Sequence, residues 1–199
     1  MPLDATTLVL ATRNHGKLAE LNRLLASLPL TLLPIHALSD APEPVEDGLT
    51  CAHNALLKAR HAAALTGLPA LADDCGLFVD ALHGAPGVLL ARYARDAGGW
   101  AHGMDRLLQQ LRDADALLPH QRAATFTCAL AIAWPDGRAL TAQGDRPGLI
   151  ADAPRGLGDG FDPLFLPRGA DLTWAQLPPH LREATNHRAL AFDRLLQHL

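Results

Sequence analysis

ALADDCGLFVDALHGAPGVLLARY, residues 70–93, is the stretch from which the rest of the chain is read. Ala70, Leu71 and Ala72 form a short apolar run that delivers two adjacent carboxylates, Asp73 and Asp74. Cys75 and Gly76 follow, and then a second strand-like run, Leu77–Val79. Neighbouring side chains of an extended chain point to opposite faces. Asp73 and Asp74 therefore meet different surroundings: one can reach into a cleft while the other braces backbone or a neighbouring helix. A turn is the plain alternative, because Asp and Gly are common turn residues. A turn has no need of two acids between strand-like runs, which favours a magnesium or general-base site.

Just upstream, Thr50 to Thr66 predicts a helix, with Gly67 as its C-terminal cap and Pro69 beyond. Asn54, Lys58 and His61 recur along it at spacings of four and three, which puts them on one face. That face is either solvated, with Lys58 snorkelling, or turned toward a polyanion. The loop before it, SDAPEPVEDG (residues 39–48), is acidic and proline-containing. It reads as solvated surface unless one of its last acids, Glu46 or Asp47, reaches a metal. Downstream, residues 82–87 (LHGAPG) form a tight glycine/proline loop, and Ala91-Arg92-Tyr93 can lay a guanidinium near the cleft.

Thr6–Ala11 (TTLVLA) is β-branched and apolar, a good buried strand. Thr12, Arg13, Asn14, His15 and Gly16 make a polar loop, and Lys17 opens a helix that Pro29 stops. A strand, a small polar loop and a helix start together make an anion seat, to which a lysine adds charge. The pattern is not a Walker A loop, since Ala11 and Leu18 stand where glycine and Ser/Thr are needed. A plain strand–loop–helix connection remains the other reading. Leu30–Ile35 can be a second strand.

Farther on, Trp100–Leu111 predicts a helix with Met104, Leu107, Leu108 and Leu111 on one side. Asp113–Gln121 is a polar connector. Ala123–Trp134 and Arg138–Gln143, joined by Pro135-Asp136-Gly137, make the clearest hairpin and argue for a mixed sheet. RGLGDGFDPLF (residues 155–165) is either a long turn or a glycine-rich loop that grips a flat heterocycle with Phe161 and Asp162. A last helix begins near Leu181, with Leu190, Phe192, Leu195 and Leu196 as its buried side. Arg182, His187 and Arg188 lie near its start, where arginines oppose the macrodipole unless an anion meets them. Such a local conflict points to a ligand.

The 199 residues suffice for one sizeable core in one domain of one or two lobes. A net charge of −4 and a pI near 6.2 give no global basic footprint for nucleic acid. Cys51, Cys75 and Cys128 show no zinc spacing, and three scattered thiols suit a reducing cytosol. The opening MPLDATTLVLATRN has no basic segment before its apolar run and does not read as a signal peptide. No apolar stretch approaches the ~18 residues that span a bilayer. The expectation is a cytoplasmic protein with no membrane partner.

In order along the chain, ATRNHGK, EDGLT…NALLKA, LADDCGL.VDAL.GAPGV..ARY, GDGFDPLF and NHR resemble the inosine/xanthosine triphosphate pyrophosphatase family, from residue 8 to about 192. The resemblance implies an α/β fold: an elongated mixed sheet flanked by helices, in two lobes with a central cleft, as a single domain over residues 1–199. It implies a homodimer that hydrolyses purine nucleoside triphosphates (dITP, ITP, XTP) to monophosphate and pyrophosphate, with Mg2+ as cofactor. Thr12, Arg13, Asn14, His15, Gly16 and Lys17 would hold the triphosphate, and Lys58 would add charge to it. Glu46 and Asp74 would bind the metal, with Asp74 as the catalytic proton acceptor and Cys75 touching substrate. Asp159, Gly160, Phe161 and Asp162 would form the base loop, and Arg182, His187 and Arg188 would close over base and phosphates. The chain departs from the family pattern at several places. Cys75 replaces serine, Arg182 replaces lysine, Phe161 replaces Tyr or Trp, and Leu89 and Leu90 replace a tyrosine and a serine. Asp159 stands where a phenylalanine stacks on the base; a carboxylate cannot stack, but it can accept a hydrogen bond from a ring N–H. A nucleotide-binding module that does not cleave is the alternative of a different class.

Overall fold

In a computed structural model, which describes residues 6–198, the chain is a mixed α/β fold. The first residues of the segment read against a signal peptide, 1–5, lie outside the described residues. The elements in order are β1 (Thr7–Leu10), α1 (His15–Leu25), β2 (Thr31–Pro34), α2 (Cys51–Thr66), β3 (Ala70–Val79), β4 (Pro86–Gly87), α3 (Leu90–Ala97), α4 (Trp100–Asp113), β5 (Ala123–Ala133), β6 (Ala139–Ile150), β7 (Phe165–Pro167), α5 (Pro179–Thr185) and α6 (His187–Leu196). The sheet order is β2-β1-β3-β5-β6-β7, with β4 paired to β3. The chain separates into two compact units. One holds the chain up to Asp74 with Cys128–Gly144 and Arg188 onward; the other holds Cys75–Thr127 and Asp145–His187.

The first unit is built on parallel pairing, with β1 running alongside both β2 and β3. Parallel neighbours need crossover helices, and α1 and α2 supply them. Leu8, Val9 and Leu71 are fully buried, as strands covered on both faces must be. α2 is alanine-rich, so it has high helix propensity and little side-chain bulk. Its Ala55, Ala59, Ala62 and Ala63 are buried. Its ends follow the sequence expectation: the Thr50 side chain caps the His53 N–H, and Gly67 closes the helix at φ +67°.

The second unit has an aromatic core. Phe126, Phe161, Phe165 and Trp174 pack with Leu107 and Leu111 of α4 and with Leu77 and Val79 of β3. β4 folds back antiparallel on β3, with Leu77 opposite Gly87 and Phe78 opposite Pro86. This return requires Gly76, because a Cβ there would lie 2.8 Å from the Gly87 carbonyl oxygen.

Several local expectations are corrected. β3 is one strand of ten residues that runs straight through Asp73, Asp74, Cys75 and Gly76, so the turn reading fails. α1 starts at His15 rather than Lys17, because Asn14 serves as its N-cap, and it ends at Leu25, before Pro29 can act. β2 is shorter than Leu30–Ile35, and β6 runs past Gln143 to Ile150. The C-terminal helix is two helices broken at Asn186, a buried residue in extended conformation. Leu196 faces solvent, and Ala191 takes its place beside Phe192 and Leu195 in the core.

Replacing Gly76 with alanine should therefore lower stability by about 1–3 kcal/mol. Urea denaturation measures this, and an unchanged midpoint would mean that the β4 return relaxes without cost.

Candidate active site

The acidic pair occupies the buried part of β3, and alternation sends the two side chains to opposite faces. Asp73, 1% exposed, is met by two cations. Arg188 donates through Nε (3.2 Å) and Nη2 (2.9 Å) to its Oδ2, and the Lys17 ammonium lies 3.1 Å from the same oxygen. Arg188 also pairs through Nη1 with Glu20. Burial alone would raise the Asp73 pKa, but Lys17, Arg188 and Lys58 outweigh it and hold the carboxyl well below the usual carboxylate range. Asp73 is thus a permanent anion that fixes Lys17 and Arg188 in place.

Asp74 has the opposite balance. Lys58, one residue of the α2 face singled out in the sequence, places Nζ 3.0 Å from Asp74 Oδ1 and 3.0 Å from Glu46 Oε1. Asn54, one helical turn earlier, donates through Nδ2 to Asp74 Oδ2 at 3.4 Å. Burial raises the Asp74 pKa more than Lys58 and Lys17 lower it, and Glu46 adds to the rise, so the carboxyl titrates at about 6. Burial and Lys17 press the Lys58 pKa down, but Asp74, Asp73 and Glu46 outweigh them and leave it raised and charged. Two carboxylates thus converge on one cationic group. Of the two acids that end the 39–48 loop, Glu46 is the one that arrives there; Asp47 is exposed.

The loop before α1 is tied down locally. Asn14 caps the Lys17 N–H, and its own N–H donates to Thr12 Oγ1 at 3.2 Å. The Arg13 guanidinium donates to the carbonyls of Ser39 and Ala41, both at 2.9 Å, which binds this loop to the 39–43 segment. His15 and Gly16 are exposed in the first turn of α1, where backbone N–H groups have no intrahelical acceptor.

In the second unit, Asp162 pairs with Arg182 at 3.6 Å. Asp159 is exposed and Gly160 sits at φ +60°. Phe161 is 1% exposed and packs against Tyr93 and Trp100, so its ring anchors the loop rather than offering an open face. His187 is stacked against Phe126 (4.6 Å between centroids) and Trp174 (5.2 Å), with Nδ1 buried and without a hydrogen-bond partner. Cys75 is half-buried. Arg182 falls in the last turn of α5, where it suits the macrodipole, so the conflict read there does not exist. Arg188 does stand in the first turn of α6, and its anions are the protein's own Asp73 and Glu20.

Sequence reasoning misses Glu20, and it puts Asn54 on the candidate face of α2 without a role of its own. Glu20 lies three residues after Lys17 and Asn54 four before Lys58, spacings that bring helix neighbours together.

The two acids make opposite predictions for stability. The Asp74 carboxyl has its pKa raised from 3.8 to about 6 on folding. Folded protein therefore holds that proton more tightly, and stability falls as pH rises from about 4 to about 6, by on the order of 3 kcal/mol. The contribution of Asp73 is present above its unfolded pKa and is lost only below about pH 4. Urea denaturation at pH 4.5, 5.5 and 6.5 should show the decline in the native sequence and not in Asp74→Asn. At pH 7.5 Asp74→Asn should be the more stable protein. Asp73→Asn should lose about 3–5 kcal/mol, because it breaks the buried pair with Arg188 and takes the same carboxylate from Lys17.

Known proteins resemble this chain along nearly its whole length. A profile of the Ham1 family matches residues 8–198. The dITP/XTP pyrophosphatase of Geobacter sulfurreducens is 45% identical over 195 residues, 98% of this chain and 96% of that protein. The enzyme of the same name from Rhodospirillum centenum is 47% identical over 191 residues, 96% of this chain and 93% of its own. Among solved structures, a HAM1 protein from Coxiella burnetii superposes with a TM-score of 0.87 at 38% identity, covering 98% of this chain and all of that one. The Ham1 protein of Staphylococcus aureus gives 0.82 at 32% identity, with 96% of each chain covered. With the profile spanning nearly its whole length and relatives well above 40% identity, this chain belongs to the Ham1 family.

Proposed function

We propose that this protein is a nucleoside-triphosphate pyrophosphatase that takes deaminated purine nucleotides, dITP, ITP and XTP, to the monophosphate and pyrophosphate. The observation that carries the reading is Asp74: a buried carboxyl raised to about 6, with Lys58 and Glu46 gathered beside it in one unit. Pyrophosphate release needs charge neutralisation and an aligned water more than covalent help from the protein. Asp74 is ionised at neutral pH yet more basic than an ordinary aspartate, which suits it to take a proton from that water. Lys58 steadies the ionised form, and Lys17, anchored by Asp73, presents positive charge at the start of α1 beside Thr12–Gly16. These residues would hold the triphosphate, with Arg188 as the second cation on Asp73.

Glu46 and Asp74 fit a magnesium ion. Both are oxygen donors, both already converge on one cation, the Lys58 ammonium, and Glu46 is open enough for water to share the ion's coordination. Bound there, magnesium would supply charge neutralisation and Lewis acidity toward the phosphate oxygens and the attacking water.

The base is assigned to the 159–162 loop with Arg182 and His187, and Cys75 touches substrate. Phe161 acts by anchoring the loop in the core, which leaves Asp159, Gly160 and backbone amides to read the base. A pocket that donates to a purine 6-oxo group leaves its donors unpaired against a 6-amino group, at a cost of ~1–3 kcal/mol per buried donor. The reading includes a homodimer acting in the cytoplasm, and gel filtration tests the dimer. No helix among the described residues is long and apolar enough to cross a membrane.

A panel of nucleoside triphosphates with magnesium, scored for pyrophosphate, tests the reaction; binding without release would establish the non-cleaving module instead. Asp74→Asn should keep nucleotide affinity and lose turnover by about 10²–10⁴-fold, whereas native-like turnover would remove Asp74 as the base. Asp159→Phe should raise affinity for ITP, and no change would put Asp159 outside the base pocket.

A further inference from the structure

Asn54 is 2% exposed and polar, and its amide spans two parts of the site. Its Oδ1 accepts the Gly48 backbone N–H at 2.8 Å, and its Nδ2 donates to Asp74 Oδ2 at 3.4 Å. The orientation of the amide is forced. A backbone N–H can only donate, so the oxygen must face Gly48, which leaves the NH2 group facing the carboxylate. Gly48 lies two residues after Glu46. A Cβ at position 48 would sit 2.5 Å from Asn54 Oδ1 and 2.9 Å from the His53 ring, so this approach needs a residue without a side chain.

We infer that Asn54 is a positioning residue that fixes the Glu46 segment in register with Asp74, so that both carboxylates address one cation. The inference rests on the magnesium-dependent reading of the site. Asn54 and Lys58, four residues apart on α2, each donate to one oxygen of Asp74. Together they fix the plane of the carboxylate, not merely its charge. The long Asp74 bond is the adjustable member, and the short Gly48 bond is the anchor. Partners that orient metal-binding carboxylates commonly contribute 10–100-fold in metal affinity or activity. The side-chain amide of Asn54 is engaged by Gly48 and Asp74, so its loss should act on turnover and on cation demand.

The test uses the intact protein and two variants that reach the same contact from opposite ends, Asn54→Leu and Gly48→Ala. The leucine keeps the branched shape and removes both hydrogen bonds; the alanine displaces the amide without changing it. Each should lower kcat for dITP about 10–100-fold and raise the magnesium concentration for half-maximal rate. KM should stay within about threefold, as should the Kd of a non-hydrolysable dITP analogue measured without divalent ions. The double variant should be no worse than the weaker single one, because both break one contact. Asn54→Gln, which keeps the amide, should recover part of the rate. Turnover per folded molecule within twofold of native in Asn54→Leu would overturn the inference. So would a rate loss that tracks the folded fraction in thermal melts, or fully additive effects in the double variant. Absence of pyrophosphate release from the native protein would instead overturn the functional reading itself, so the two failures are distinguishable.

Discussion

Two carboxylates on consecutive residues of a buried strand cannot make the same direct contacts, because the backbone turns them to opposite faces. In this protein that constraint assigns a second group of residues to each acid. Asp73 takes Lys17, Arg188 and, through Arg188, Glu20, and is locked as an anion. Asp74 takes Lys58 and Asn54 from one face of α2, together with Glu46 from the loop before that helix. The first set holds structure; the second holds a carboxyl away from its ordinary pKa. The distinction arises from burial and partners alone, since the two side chains are chemically identical.

Stability and chemistry oppose one another at Asp74. Burial there disfavours the charged form, and Lys58 offsets only part of the cost. A site kept at such a disadvantage is where substitution by a neutral residue stabilises a fold and removes its activity. Asp73, one residue earlier, shows no such opposition: its charge is matched twice, and it serves the fold and the placement of Lys17 at once. Adjacent residues of one strand thus lie on opposite sides of the trade between folding and function.

Much of this was legible in the sequence because it is periodic. The two-residue alternation separated the roles of Asp73 and Asp74, and the spacing of Asn54 and Lys58 placed both on one face of α2. Thr50 and Gly67 marked the ends of that helix through capping chemistry that depends on no distant contact. What failed was what distant contacts decide. Gly76 looked like half of a turn because the returning Gly87, which requires it, is eleven residues away. Nothing local to Phe161 shows that its ring packs into the aromatic core of its unit, which distant segments assemble. The break at Asn186 was invisible because a buried tertiary environment, not a proline or glycine, interrupts the helix. Glu20 was overlooked for the same reason, since its partner Arg188 lies at the far end of the chain.

The two acids differ in electrostatic state, and that difference is directly measurable. Carbon-detected NMR of 13C-labelled aspartate side chains, titrated from pH 3.5 to 8 without divalent ions, reads both directly. One carboxyl should titrate near 6 and vanish in Asp74→Asn, while Asp73 should stay ionised through the whole range. An Asp74 carboxyl already ionised at pH 4, or an Asp73 that takes up a proton above that pH, would contradict the division of labour between the two acids.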